Sequence, residues 1–132
     1  MRIGLIIYGS LDILSGGYLY DRKLVMYLEA CGHEVVIFSQ PQTTYAGRIS
    51  QNFQRTLVDH ICEYAPDILL QDELNHPSLF WLNQTLRKAL SCPIIAIVHH
   101  LYISELNGNW SRFFYEALEK KYLQSVDGFI FN

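Results

Sequence analysis

The 132-residue chain is poor in several features that would mark a specialised class. Cysteine is scarce: Cys31, Cys62 and Cys92 stand about thirty residues apart with no CxxC pair. That odd, widely spaced set excludes a disulfide framework and a zinc knuckle. Each closes an apolar helical stretch, so each reads as a buried free thiol acting as a small hydrophobe. Charge is scarce too, at 17% of residues, and ten basic against thirteen acidic side chains leave a net charge of −3. With no basic cluster there is no footprint for nucleic acid. The longest apolar run, near Ile94–Val98, falls far short of the roughly 18 residues of a membrane span. Residues 1–30 lack the charged start, apolar middle and small-residue cleavage site of a leader, so a cytoplasmic protein is expected. Neither GxGxxG nor GxxxxGK[ST] occurs, which argues against a nicotinamide enzyme and a P-loop NTPase.

Apolar residues, by contrast, make up 50% of the chain, enough to bury the core of one domain spanning residues 1–132. Five short runs rich in β-branched residues, Ile3–Tyr8, Val35–Phe38, Ile68–Leu70, Ile94–Val98 and Phe129–Phe131, do not alternate with polar residues. Strands buried on both faces of a parallel sheet read this way. Between them lie four stretches with helical spacing: Tyr20, Leu24, Tyr27, Leu28 and Cys31; Ile49, Phe53, Leu57 and Ile61; Leu79, Leu82, Leu86 and Leu90; and Phe114, Ala117, Leu118 and Tyr122 with Ser111 as N-cap. Strand starts fall about 26 to 35 residues apart, the size of a βαβ unit. The expectation is an α/β, Rossmann-like parallel sheet of about five strands in the order 3-2-1-4-5, with helices on both faces. The sequence stops at Asn132 straight after the fifth strand, with no closing helix, which suggests a fragment or the first half of a larger machine.

In such a sheet ligands bind beyond the carboxyl ends of the strands, at the switch point, expected between strands one and four. Two loops therefore stand out, Gly9–Gly17 and His99–Asn107. In the first, Ser15 can cap a helix opened by Gly16 and Gly17, whose bare backbone admits a phosphate or acceptor group, with Asp12 beside them. A flexible turn with a glycine cap accounts for the same residues equally well. In the second, His99 and His100 end a wholly apolar strand, so at least one faces the ligand. The loop after strand three offers Asp72, Glu73 and His76. A zinc or manganese site joining them to His99 is strained if strand three lies two positions from strand one, about 10 Å away. Polar acceptor contacts, or caps for the third helix, are the expected roles, and no metal is expected. His33 and His60 read as structural.

Several segments together resemble a known family. They are the Gly-Gly loop after strand one, Leu28-Glu29-Ala30-Cys31-Gly32-His33-Glu34-Val35, Pro66-Asp67-Ile68-Leu69, Ile97-Val98-His99-His100-Leu101, and Ser125-Val126-Asp127-Gly128-Phe129-Ile130. In this combination the chain resembles the N-terminal domain of the family 4, or group 1, GT-B glycosyltransferases over nearly its whole length.

The resemblance implies the N-terminal half of a GT-B fold and retaining transfer of a sugar from a nucleotide-sugar donor to an acceptor hydroxyl, with no cofactor and generally no metal. This half holds the sugar, lipid or small-molecule acceptor. Gly16 and Gly17 would face the donor phosphates across the cleft, and His99 would be the catalytic histidine that helps place the reacting sugar. His100 stands where an aspartate is common. The donor-binding domain has no counterpart in these residues, so the chain alone is expected to be inactive. The donor domain would come from a missing C-terminal domain or a separate partner. A homo-oligomer and peripheral contact with a membrane fit the same reading. The rival reading is a non-catalytic Rossmann-like module that binds an acceptor or partner.

Overall fold

A computed structural model describes residues 1–99 and 109–132, and side chains in the latter stretch from Arg112 onward. His100 and the rest of the loop through Asn107 lie outside the described residues. Five parallel strands, β1 (Arg2–Tyr8), β2 (Glu34–Gln40), β3 (Ile68–Asp72), β4 (Ile94–Val98) and β5 (Gly128–Phe131), form one sheet. The helices are α1 (Gly16–Ala30), α2 (Tyr45–Ser50), α3 (Arg55–Tyr64), α4 (His76–Leu79), α5 (Leu82–Ala89) and α6 (Asn109–Leu123). No helix among the described residues is long and apolar enough to cross a membrane.

The α/β class, the parallel sheet and its five strands are as the sequence predicts, but the strand order is β2-β1-β3-β4-β5. Strand three therefore does not lie outside strand two; it pairs with β1, Ile3 opposite Ile68, and with β4, Leu69 opposite Ile94. The switch point is correspondingly between β1 and β3. The reason is visible in burial: Leu69, Leu70, Gln71 and Asp72 are all buried, as a central strand requires, whereas β2 exposes Glu34 and Ser39 as an edge.

The order also fixes the layers. The step from β1 to β2 runs one way across the sheet and every later step the other way, so crossovers of one hand put α1 on one face and the remaining helices on the opposite face. The apolar clusters divide accordingly. Ile3, Leu5, Ile7, Leu70 and Ile97 pack under α1, against Tyr18, Leu24 and Leu28. Ile6, Leu69, Ala96 and Val98 pack against Leu57 and Ile61 of α3, Leu82 and Leu86 of α5, and Tyr122 of α6. Gly4 lets this second layer close over β1, because a Cβ there would stand 2.9 Å from Phe38 Cε2 and 3.0 Å from Leu69 Cδ1.

Two aspartates do the same work at the other end of the sheet. Asp67 Oδ2 accepts the Arg2 amide at 2.7 Å while its own amide reaches the Arg2 carbonyl, and Asp127 does likewise with Ile94, at 2.8 Å. Each ties the entry of one strand to its parallel neighbour. The Ile94 amide and Arg87 hold the Asp127 carboxyl below its ordinary range.

Several helical expectations need correction. The second stretch is not one helix: α2 and α3 are separated by a 3₁₀ turn at Gln51–Phe53, and Phe53 is 70% exposed. The third is likewise divided between α4 and α5. Ser111 lies inside α6, which already runs at Asn109, and so does not cap it. Tyr27 and Cys31 are exposed rather than on a buried stripe, while Cys62 and Cys92 are half-buried and all three thiols are free.

Candidate functional site

Strand alternation places consecutive side chains on opposite faces, so the end of β3 sends Asp72 toward α1 and Glu73 toward α4 and α6. On β4 the same period that puts Ile95 and Ile97 under α1 puts His99 there too. The α1 face thus gains an aspartate and a histidine from adjacent strands at the carboxyl edge.

The first turns of α1 complete the site. Ser15 caps the helix, accepting from the Tyr18 amide at 3.2 Å, as the sequence predicts. Gly17, Tyr20 and Asp21 then share one face at i, i+3 and i+4, and all three meet His99. A Cβ on Gly17 would lie 3.1 Å from His99 Cδ2, the Tyr20 ring stands edge-on at 5.5 Å, and Asp21 Oδ1 is 3.1 Å from His99 Nε2. Only glycine at 17 admits the ring this closely. His99 Nδ1 meets the Asn132 amide at 3.2 Å. Gly16 is exposed with open space around it, so His99, whose side chain is 7% exposed, sits just inside the surface.

Asp21 and Asp72 are both 0% exposed. Burial pushes the Asp72 carboxyl up to about 7, against the Leu74 amide that hydrogen bonds to it at 2.9 Å; the charge of Asp21 pushes it further. His99 moves the other way from a typical buried histidine: its hydrogen bond to Asp21 raises its pKa and outweighs burial. The donor atoms of Asp21, Asp72 and His99 lie within 4.8 Å of one another.

The opposite face holds a second cluster, Glu73, His76 and Glu119, whose ligand atoms are equally close. Here burial dominates, holding Glu73 up to about 7 and His76 down to about 4. His76 Nδ1 donates to the Glu73 carbonyl at 3.1 Å, and its 3.2 Å approach to Glu73 Oε1 is therefore the proximity of a neutral imidazole at neutral pH rather than an ion pair. Around it Tyr8 hydroxyl meets Ser78 Oγ, Ser78 donates to Gln51 Oε1 at 2.8 Å, and Arg48 stacks 4.6 Å over the Tyr8 ring. Burial takes the Tyr8 hydroxyl up to about 12.

Of the residues the sequence singles out, the structure brings together Gly17, Asp72 and His99, with Ser15 and Gly16 on the adjoining turn. Asp72 also acts as a cap, for the 3₁₀ turn Glu73–Asn75. Glu73 and His76 are buried on the far face, 1% and 2% exposed. Asp12 is exposed in the β1–α1 loop, held by Ser10 at 3.1 Å. His33 meets the terminal amine at 3.3 Å, and His60 is exposed on α3. Asp21 and Glu119 escape sequence reasoning. Asp21 had a signal, since it falls on the stripe Tyr18, Asp21, Leu24, Leu28, where an acid among apolar neighbours marks a buried carboxylate.

A groove of about 610 Å³ opens elsewhere, between α3 and α5. Asn52, the buried polar residue on its wall, spends its amide on the Ile49 and Pro77 carbonyls and the Trp81 and Leu82 amides, so it offers the groove nothing. No protein-family model matches the chain, and no curated protein matches it.

Proposed function

We propose that the chain is the acceptor-side domain of a retaining glycosyltransferase of the GT-B kind, acting in the cytoplasm. Its role is to hold a sugar, lipid or small-molecule acceptor while a donor-binding domain presents the nucleotide sugar. The observation that carries the reading is the contact of Gly17 with His99 at the carboxyl edge. More than eighty positions apart in sequence, they lie side by side beneath a Ser15-capped helix N-terminus. Bare amides there suit an anionic donor group across a cleft, and a histidine with polar partners suits hydroxyls. His99 is held from two sides, by Asp21 and Asn132, and that fixes its ring in a single orientation. Orientation is what sugar transfer demands, and it rests on both domains, so the chain alone binds without turning over.

The test follows backbone and ring resonances of the isotope-labelled chain during titration with alkyl glycosides, oligosaccharides and nucleotide sugars. Acceptors are expected to shift Gly16, Gly17 and His99, with no sugar transferred. Shifts confined to other residues, or no shift with any acceptor class, would reject the reading, and transfer by the isolated chain would reject the division of labour.

A further inference from the structure

The α1-face cluster contains a contradiction that hydrogen bonding within the protein does not resolve. Asp21 and Asp72 are wholly buried, yet Asp21 Oδ2 and Asp72 Oδ2 have no hydrogen-bond partner among the described residues. Buried carboxylate oxygens without donors are costly, and two carboxylates whose oxygens lie within 4.8 Å of one another repel besides. A proton on Asp72 relieves the repulsion, and a cation between the two groups relieves it while giving the unpartnered oxygens a partner.

We propose that Asp21, Asp72 and His99 bind a divalent cation of the zinc or manganese class, through one carboxylate oxygen from each aspartate and Nε2 of His99. The donor set chooses the class. One imidazole with two carboxylates suits zinc and manganese, while calcium and magnesium prefer oxygen alone. The geometry is close to what an ion needs: the donor atoms spread over at most 4.8 Å, against about 3.4 Å between donors on a tetrahedral zinc. A closure of the donor atoms by up to about 1.4 Å completes the set. The outer contact requires one adjustment: a metal on Nε2 leaves the proton on His99 Nδ1, so the Asn132 side chain, whose nitrogen stands 3.2 Å from Nδ1, must turn its amide to offer Oδ1 instead. The site touches solvent through the His99 ring, whose side chain is 7% exposed beside Gly17. The Glu73–His76–Glu119 cluster, though similar in composition, is sealed on all three members.

This inference stands on the donor geometry and not on sugar transfer, but both readings use His99: an ion on Nε2 takes over from Asp21 the orienting of the ring. The metal and glycoside titrations read the two separately.

Calorimetric titration of the chelator-treated chain with Zn²⁺, and separately with Mn²⁺, tests it. One ion per chain is expected, with a rise in Tm of about 10 °C at about a hundredfold excess over Kd. Asp72→Asn keeps the shape and removes a carboxyl that burial disfavours, so it should melt no lower than the parent without metal, whereas Asp21→Asn gives up the charge beside His99, so its metal response is read against its own metal-free Tm. Each should also lose binding by tenfold or more, together with the Tm response, while Glu73→Gln on the other face keeps both. Binding weaker than millimolar for both ions would overturn the proposal, as would a Tm response that survives in both asparagine variants. Resonance mapping gives the answer without any variant: broadening by Mn²⁺, or shifts with Zn²⁺, centred on His99, Gly17 and Asp21 supports the site, and effects centred elsewhere, or none with either ion, overturn it.

Discussion

Two clusters of similar composition flank the end of one strand and behave oppositely. On the α1 face, His99 is raised in pKa by a hydrogen bond to Asp21; on the α6 face, His76 is depressed to about 4 by burial. Both are histidines beside carboxyl groups, so composition does not separate them. What separates them is access and partner. His99 sits against Gly17 just inside the surface and points its Nε2 at a carboxylate, whereas His76 is enclosed by helices and turns. A buried polar cluster becomes a candidate site when an outside ligand can reach it and some of its polar atoms await one. Both clusters hold unpartnered carboxyl oxygens, Asp21 Oδ2 and Asp72 Oδ2 on one face and those of Glu73 on the other, so access decides: His99 borders the surface, whereas the α6 cluster is closed in between α4, α6 and the sheet.

The largest expected effect that sharpens the contrast is a pH dependence. In chelator, Asp72 and Glu73 titrate in the folded chain near 7, far above their ordinary values. The native form therefore retains two protons that the unfolded chain has released, and stability falls as pH rises toward 7. His76, lowered to about 4, works in reverse and returns stability as pH rises to its ordinary 6.5. Two acids outweigh one histidine by about one proton, so the chain should be more stable at about pH 5 than at about pH 7.5 by on the order of 3 kcal/mol. The raised His99 pKa adds in the same direction. Urea midpoints across that range check it; a rise in stability with pH would mean the carboxyl groups are ionised throughout.

Next in size is the pair His76→Ala and His99→Ala. The first opens a cavity and strips partners from Glu73 within a closed layer, costing about 2–3 kcal/mol, while the second removes a group that water can replace, costing about 1 kcal/mol or less. Equal losses in chemical denaturation would erase the distinction between the clusters. The smallest effect belongs to Gly17→Ala. Its Cβ would press on His99 Cδ2 at 3.1 Å, but a helix gains propensity from alanine, so stability should stay within about 1 kcal/mol. The His99 ring should nonetheless be displaced, and its ring resonances should shift. Gly16→Ala, with nothing within 4 Å, is the control and should leave them unchanged.

Much of the fold is legible because strands and helices carry their own periods. The βαβ spacing and the doubly apolar strands give the parallel sheet directly. Strand order is not a local property, and nothing in Ile68-Leu69-Leu70 says which side of β1 the chain will take. An order that puts strand three outside strand two displaces it from the site and makes an Asp72–His99 cluster strained, whereas the paired strands place them side by side. Asp21 is hidden for a different reason: a stripe read from apolar residues alone, Tyr20, Leu24 and Leu28, finds the buried face of α1 but passes over the acid that shares it with Tyr18. Two of the segments that carry the family resemblance, around Asp67 and Asp127, have a plain structural task, since both aspartates tie a neighbouring strand's entry. The Gly17 and His99 segments are the ones that meet at the site.

The difference between the two clusters is tested most directly by an NMR titration of the histidine rings in metal-free buffer. The account predicts that His99 titrates above its ordinary value of 6.5 and that His76 stays neutral down to about 4. Both rings titrating together near 6.5 would contradict it, because then neither the Asp21 hydrogen bond nor the sealed α6 face sets the chemistry at this edge of the sheet.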